Sequence, residues 1–86
     1  MKNKTDYTNT ELNILSNYIS EKFNVNISIN VISDLYTITV HFKIVKIYIY
    51  FRFNDMPVNE LAKIVSDLIL KEYYKAKMQK FLLHFN

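Results

Sequence analysis

The chain has no cysteine and no glycine, and its one proline is Pro57. Without cysteine there is no disulfide framework, no thiol nucleophile and no cysteine–zinc site, so packing alone holds the fold. Without glycine, a P-loop, a Rossmann fingerprint and a glycine-lined oxyanion nest are excluded in their usual forms. Histidine is almost as scarce. His41 and His84 are the only two, they fall on different elements, and neither has an Asp or Glu at ligand spacing, so no metal site is expected. The acids are scattered and form no general acid/base pair. No catalytic residue is assigned, no cofactor is expected, and the chain is read as a non-enzyme. Long hydrophobic runs are missing too: a membrane span needs roughly 18 or more apolar residues, and none occurs. The opening MKNKTDYTNTELN lacks the apolar stretch of a secretory signal, which makes a cytoplasmic location the default expectation.

What remains is ample for a core. Half of the 86 residues are hydrophobic, with 7 Tyr and 6 Phe. A chain of this length makes one domain, burying only about 60% of its unfolded surface. The bias toward Ile, Asn, Lys, Tyr and Phe is what AT-rich codons produce, and it suggests a low-GC bacterium or one of its mobile elements. The net charge is +3. Charges cancel over residues 1–70, so the excess lies at the end, where Lys71, Lys75, Lys77 and Lys80 face only Glu72.

Hydrophobic spacing gives the elements. Residues 1–7 are polar and expected to be disordered. Thr8 and Glu11 fit a capping box, and Leu12, Leu15, Ile19 and Phe23 then recur at three- and four-residue steps, flanked by Ile14 and Tyr18. A helix is expected over 9–23. Val25, Ile27, Ile29 and Val31 next alternate with polar residues, the period of a half-buried strand over 24–32. Ser33-Asp34 supplies a turn. The apolar set then moves to Tyr36, Ile38, Val40 and Phe42 (strand 35–43), and back to Val45, Ile47, Ile49, Phe51 and Phe53 (strand 45–53).

These switches of parity fix a register, because paired residues in an antiparallel hairpin share a face. Setting Val31 by Tyr36, Ile29 by Ile38 and Ile27 by Val40 aligns the first two strands. Setting Val40 by Ile47, Ile38 by Ile49 and Tyr36 by Phe51 aligns the second with the third. Every apolar residue then falls on one face of a three-stranded meander. The second turn, Phe42-Lys43-Ile44-Val45, has none of the residues that tight turns favour, and a bulge in one longer strand is the rival reading.

Pro57 opens a last helix over 57–70, capped by Asp55 or Met56. Val58, Leu61, Val65 and Leu68, flanked by Ile64 and Ile69, form its expected core stripe. Leu70, Tyr74, Phe81 and Phe85 lie on nearly the opposite side at 100° per residue. Either the helix continues and presents a second apolar face, or it breaks into another helix over 71–84 that doubles back onto the core. The predicted class is α+β, in the order α-β-β-β-α, with helices covering the apolar face of an antiparallel meander.

That order resembles double-stranded RNA-binding domains, a likeness of topology over most of the chain. The family's Gly-Pro-His loop has no counterpart here, and the start of the last helix, Val58-Asn59-Glu60-Leu61-Ala62-Lys63, has a single lysine where the family is lysine-rich. The resemblance therefore carries over no residue. In size, composition and element order the chain also resembles small phage proteins that block host defence nucleases. Many of those are acidic DNA mimics, which this chain is not.

Function is expected on the sheet's other face. His41, Lys43, Lys46, Tyr48, Tyr50 and Arg52 gather there on an acid-free surface. Tyr and Arg are the residues that contact surfaces favour. The bland alternative is a solvated face whose threonines and tyrosines are good strand formers. The leading expectation is a non-catalytic module, phage- or mobile-element-encoded, that binds a host protein and inhibits or modulates a host defence or regulatory complex. Nucleic-acid binding is the alternative, with the tyrosines stacking bases and the basic tail on phosphates. A third reading is a homodimer or larger oligomer assembled through Leu70, Tyr74, Phe81 and Phe85 beside Lys71, Lys75 and Lys77. Strand 3 is expected at a sheet edge, with Lys46 and Arg52 discouraging stray pairing.

Overall fold

The first helix, α1 (Asn9–Phe23), opens with the expected reciprocal cap. The Glu11 amide donates to Thr8 Oγ1 at 3.1 Å, and the Thr8 amide donates to Glu11 Oε1 at 2.9 Å. Two otherwise orphan donors are thereby satisfied. The helix ends at Asn24, whose left-handed backbone (φ 53°) lets its amide reach back to the Ser20 carbonyl. Asn is the best substitute for glycine at such a position. In this computed structural model, residues 4–84 are described, with side chains through residue 79.

Three strands follow: β1 (Asn26–Ile32), β2 (Leu35–His41) and β3 (Lys46–Arg52). They form one antiparallel sheet in the order β1-β2-β3. Both registers are the ones that parity requires: Ile29 lies opposite Ile38 on one side, and Ile38 opposite Ile49 on the other. The second turn is a true hairpin, closed by the Phe42 amide donating to the Val45 carbonyl at 2.9 Å. Among the described residues only Asn24, Ser33 and Asp55 have positive φ, so this turn lacks the left-handed residues of the favoured two-residue loops. Tertiary packing holds it instead. The Phe42 ring sits edge-on to Phe23 and 4.5 Å from Tyr73.

The last helix, α2 (Val58–His84), is continuous. At about 1.5 Å per residue it is roughly 40 Å long, against about 23 Å for a seven-residue strand. Its start lies one position later than expected: the Pro57 carbonyl accepts the first helical bonds, from Glu60 and Leu61. Its buried line also differs from the expected stripe. Leu61, Ala62, Val65, Ser66 and Ile69 face the core, while Ile64 and Leu68 are exposed. The small Ala62 and Ser66 are what allow close approach on that line. Ser66 is fully buried at no cost in hydrogen bonding, because its hydroxyl donates to the Ala62 carbonyl at 2.7 Å. The line continues through half-buried Tyr73 and Ala76, which gives the helix a reason to run on rather than break.

Both helices cover one face of the sheet, α1 against β1 and α2 against β3, and they touch each other. Leu15, Ile19, Tyr36, Ile38, Val40, Ile47 and Ile49 join the α2 line in one core. The expected disordered segment needs correction at its end, since Tyr7 is 5% exposed and belongs to that core. Its ring meets Tyr36, Phe51 and Phe53 edge-on, with centroids 5.5, 6.1 and 4.8 Å away. Its amide donates to the Tyr36 hydroxyl at 3.0 Å, and its own hydroxyl donates to Asn54 Oδ1 at 2.8 Å. Burial pushes the Tyr7 phenol above its usual range. Residues 1–3 of that segment lie outside the described residues.

Two outcomes follow from these contacts. Tyr7→Ala should destabilise the fold by about 3 kcal/mol and Tyr7→Phe by about 1 kcal/mol, read as shifts in the urea midpoint with unchanged slope. Glu11 is held below its ordinary value, first by the Lys4 ammonium that hydrogen-bonds its carboxylate and then by the Thr8 amide. A lowered folded-state value means the contribution is complete above the unfolded pKa and disappears as pH falls through the folded one. Glu11→Gln should therefore flatten the acid limb of the stability–pH curve and leave its neutral shape unchanged.

Candidate functional site

With both helices on one side, nothing among the described residues covers the other face of the sheet. Register places its side chains in four rows running across β1, β2 and β3: Asn26–His41–Lys46, Ser28–Thr39–Tyr48, Asn30–Thr37–Tyr50 and Ile32–Leu35–Arg52. Tyr48 and Tyr50 stand two apart on β3, 51% and 61% exposed, and among the described residues neither makes a side-chain hydrogen bond. They are large amphipathic surfaces with unused hydroxyls.

The two ends of the face differ. At the first turn Ile32 is 74% exposed and Leu35 lies beside it, an apolar end that the sequence reading missed. The signal was available: extending the alternation one pair beyond Val31–Tyr36 puts Ile32 and Leu35 on the outer face. The same turn corrects the expectation of an acid-free surface. Ser33 takes a left-handed conformation, φ 57°, and Asp34 pairs with Arg52, whose Nη1 donates to Asp34 Oδ1 at 2.6 Å. Arg52 is thus a neutralised cation.

At the other end, among the described residues, the lysines have no such pair. His41 and Lys46 are direct cross-strand neighbours, and Lys43 stands in the turn beyond them. Lys46 and Tyr48 also border an open cleft of about 360 Å³ together with Lys75 and Glu72 of α2. A larger cleft, about 660 Å³, opens past the strand ends between Asn24, Asn26, His41, Lys43 and Tyr73. The face therefore runs from apolar and neutral at Ile32, through the tyrosines, to basic at Lys46.

The expected second interface is only partly brought together. Leu70 is half-buried, whereas Tyr74 is exposed with its ring edge-on to Tyr73. Lys71, Lys75 and Lys77 are exposed along the same helix. The Phe81 side chain and the whole of Phe85 lie outside the described residues. Among the described residues there is no cluster of three metal-ligating side chains, no helix long and apolar enough to cross a membrane, and no buried side-chain polar atom without a partner. No family model, curated protein or solved structure matches the chain.

Because the Asp34–Arg52 pair is exposed on both sides, it shapes the charge of the face more than the stability of the fold. Asp34→Ala should change unfolding free energy by less than about 1 kcal/mol, measured by urea denaturation.

Proposed function

We infer that the chain is a non-catalytic protein-binding module whose contact surface is the outer face of the sheet. The observation that carries this reading is the adjacent pair Tyr48 and Tyr50, half or more exposed on the sheet face that neither α1 nor α2 covers. Tyrosine offers a large contact area at low conformational cost and a hydroxyl to satisfy at the rim. Ile32 and Leu35 extend the apolar part of that surface. Arg52, paired with Asp34, offers its remaining guanidinium donors to a partner without adding net charge to that end of the face. Lys46, His41 and Lys43 suit an acidic rim on the partner. The concrete version is a phage- or mobile-element protein that inhibits or modulates a host defence or regulatory complex; it is supported by the bias toward Ile, Asn, Lys, Tyr and Phe that AT-rich codons produce and by the small size of the scaffold.

A second reading is favoured by the basic end of the face. Lys43, Lys46 and Lys75 beside Tyr48, with His41 as a hydrogen-bonding neighbour, supply the cation-plus-aromatic combination that single-stranded nucleic acids bind. It requires affinity that falls steeply with salt.

Replacing both Tyr48 and Tyr50 by Ala should abolish capture of a host protein from nuclease-treated lysate while leaving the circular dichroism spectrum and urea midpoint close to those of the native chain. Unchanged capture would remove the outer-face reading. Loss of capture on nuclease treatment, with retardation of DNA or RNA at low salt, would put the nucleic-acid reading in its place.

A further inference from the structure

The sheet has two edges, and they are protected very differently. β3 carries charged groups at both ends, Lys46 and the Asp34-paired Arg52, as an edge that resists pairing should. β1, the other edge, carries nothing of the kind. From Phe23 to Ser33 the chain has no charged residue, no proline and no bulge to turn the strand away; Lys22 and Asp34 mark the limits of this stretch. Its β-branched alternation is what a free strand recruits.

Two further observations fall on the same side. The inward side chains of β1 are less covered than those of its neighbours: Ile27 and Ile29 are only partly buried and Val31 is 47% exposed, whereas Ile38, Val40, Ile47 and Ile49 are buried. The core is open along β1. In addition, α1 borders this edge with short uncharged residues, Asn9, Asn13 and Ser16, which with Leu12 and Ile29 line an open groove of about 420 Å³. The charges of α1, Glu11, Glu21 and Lys22, lie on the rest of its circumference.

We propose that β1 pairs antiparallel with β1 of a second copy of this chain, across a two-fold axis at Ile29, to give a continuous six-stranded sheet. The occupant is a second copy because the edge is self-complementary. Centred on Ile29, the pairing sets Ile27 against Val31 on the inner face and Ser28 against Asn30 on the outer one, like with like over the middle of the strand, with Asn26 against Ile32 at each end. No like charges meet. The same operation on β3 would set Lys46 beside the Arg52–Asp34 ion pair at both ends, crowding charged side chains where β1 has none. The short side chains of α1 leave room for its counterpart to approach over the shared inner face, where Val31 and the groove would be covered. This inference does not rest on the outer-face reading, since it concerns the purified protein alone.

The test is the mass of the native chain by sedimentation equilibrium, from micromolar to millimolar concentration, with two variants at exposed outer positions of β1. The native chain should reach twice its 10.3 kDa mass. Ser28→Lys with Asn30→Lys sets lysine against lysine twice across the axis, and should raise the dissociation constant about tenfold or more with an unchanged circular dichroism spectrum. Ser28→Lys with Asn30→Glu sets lysine against glutamate in the same register and should restore the dimer. A native chain that stays monomeric throughout overturns the proposal. So does a double-lysine variant that dimerises as well as the native chain, or a lysine–glutamate variant no better than the double lysine.

Discussion

The structure depends on one geometric constraint, the alternation of side chains along a strand under two fixed hairpin registers. Because a one-residue slip would turn every apolar side chain of a strand to the opposite face, the apolar positions of β1, β2 and β3 admit one meander. That meander is apolar on a single face. The helices have nowhere else to bury their own stripes, so α1 and α2 must lie together on that face. The bare outer face is the complement of this arrangement. Whatever Tyr48 and Tyr50 do, their exposure is dictated by the residues between them, since Ile47, Ile49 and Phe51 are committed to the core.

Much of this was legible because it is written in local spacing. The capping box of Thr8 and Glu11, the ends of α1 and both registers depend on residues near one another in the chain. What was not legible depends on long-range geometry. Tyr7 belongs to a polar segment, and its burial follows only from the socket made by Tyr36, Phe51, Phe53 and Asn54, which lie up to 47 residues away. The rotation of α2 is similar. A stripe drawn through its largest apolar residues chooses Leu68 and Ile64, whereas close packing chose the line containing Ala62 and Ser66. The Asp34–Arg52 pair spans the sheet between residues 18 apart, so Arg52 reads as a free cation in sequence and as a neutralised one in space.

The absence of glycine has its own structural consequences. Among the described residues, left-handed backbone is still needed at three places, and Asn24, Ser33 and Asp55 supply it. For residues bearing a Cβ that conformation costs on the order of 1 kcal/mol each, offset locally where a hydrogen bond fixes the turn. Asn24 has its amide on the Ser20 carbonyl, and the turn around Asp55 is closed by the Met56 amide on Asn54 Oδ1 at 3.1 Å. The same Asn54 oxygen accepts the Tyr7 hydroxyl, so one side chain ties the start of α2 to the N-terminal segment. The second hairpin avoids left-handed residues altogether and relies on Phe42 as an anchor between Phe23 and Tyr73. Turns in this chain are thus set by packing and by asparagine rather than by glycine.

Edge and face are coupled through the order of the strands. In a sheet continued through β1, the two copies of β3 become the outer strands, five strand spacings apart, or about 24 Å. Each copy would keep Tyr48, Tyr50 and the basic corner at Lys46 free, on one continuous outer face with two-fold symmetry. The charge-free edge would be consumed in assembly, and the charged edge would be left exposed, where Lys46 and the Arg52–Asp34 pair would discourage further growth. A two-fold partner, or one carrying two copies of the same epitope, would then engage both tyrosine pairs at once, and the second contact would form at high effective concentration. Under that proposal the uneven protection of the two edges would close the assembly at a dimer rather than extend it into an open fibre.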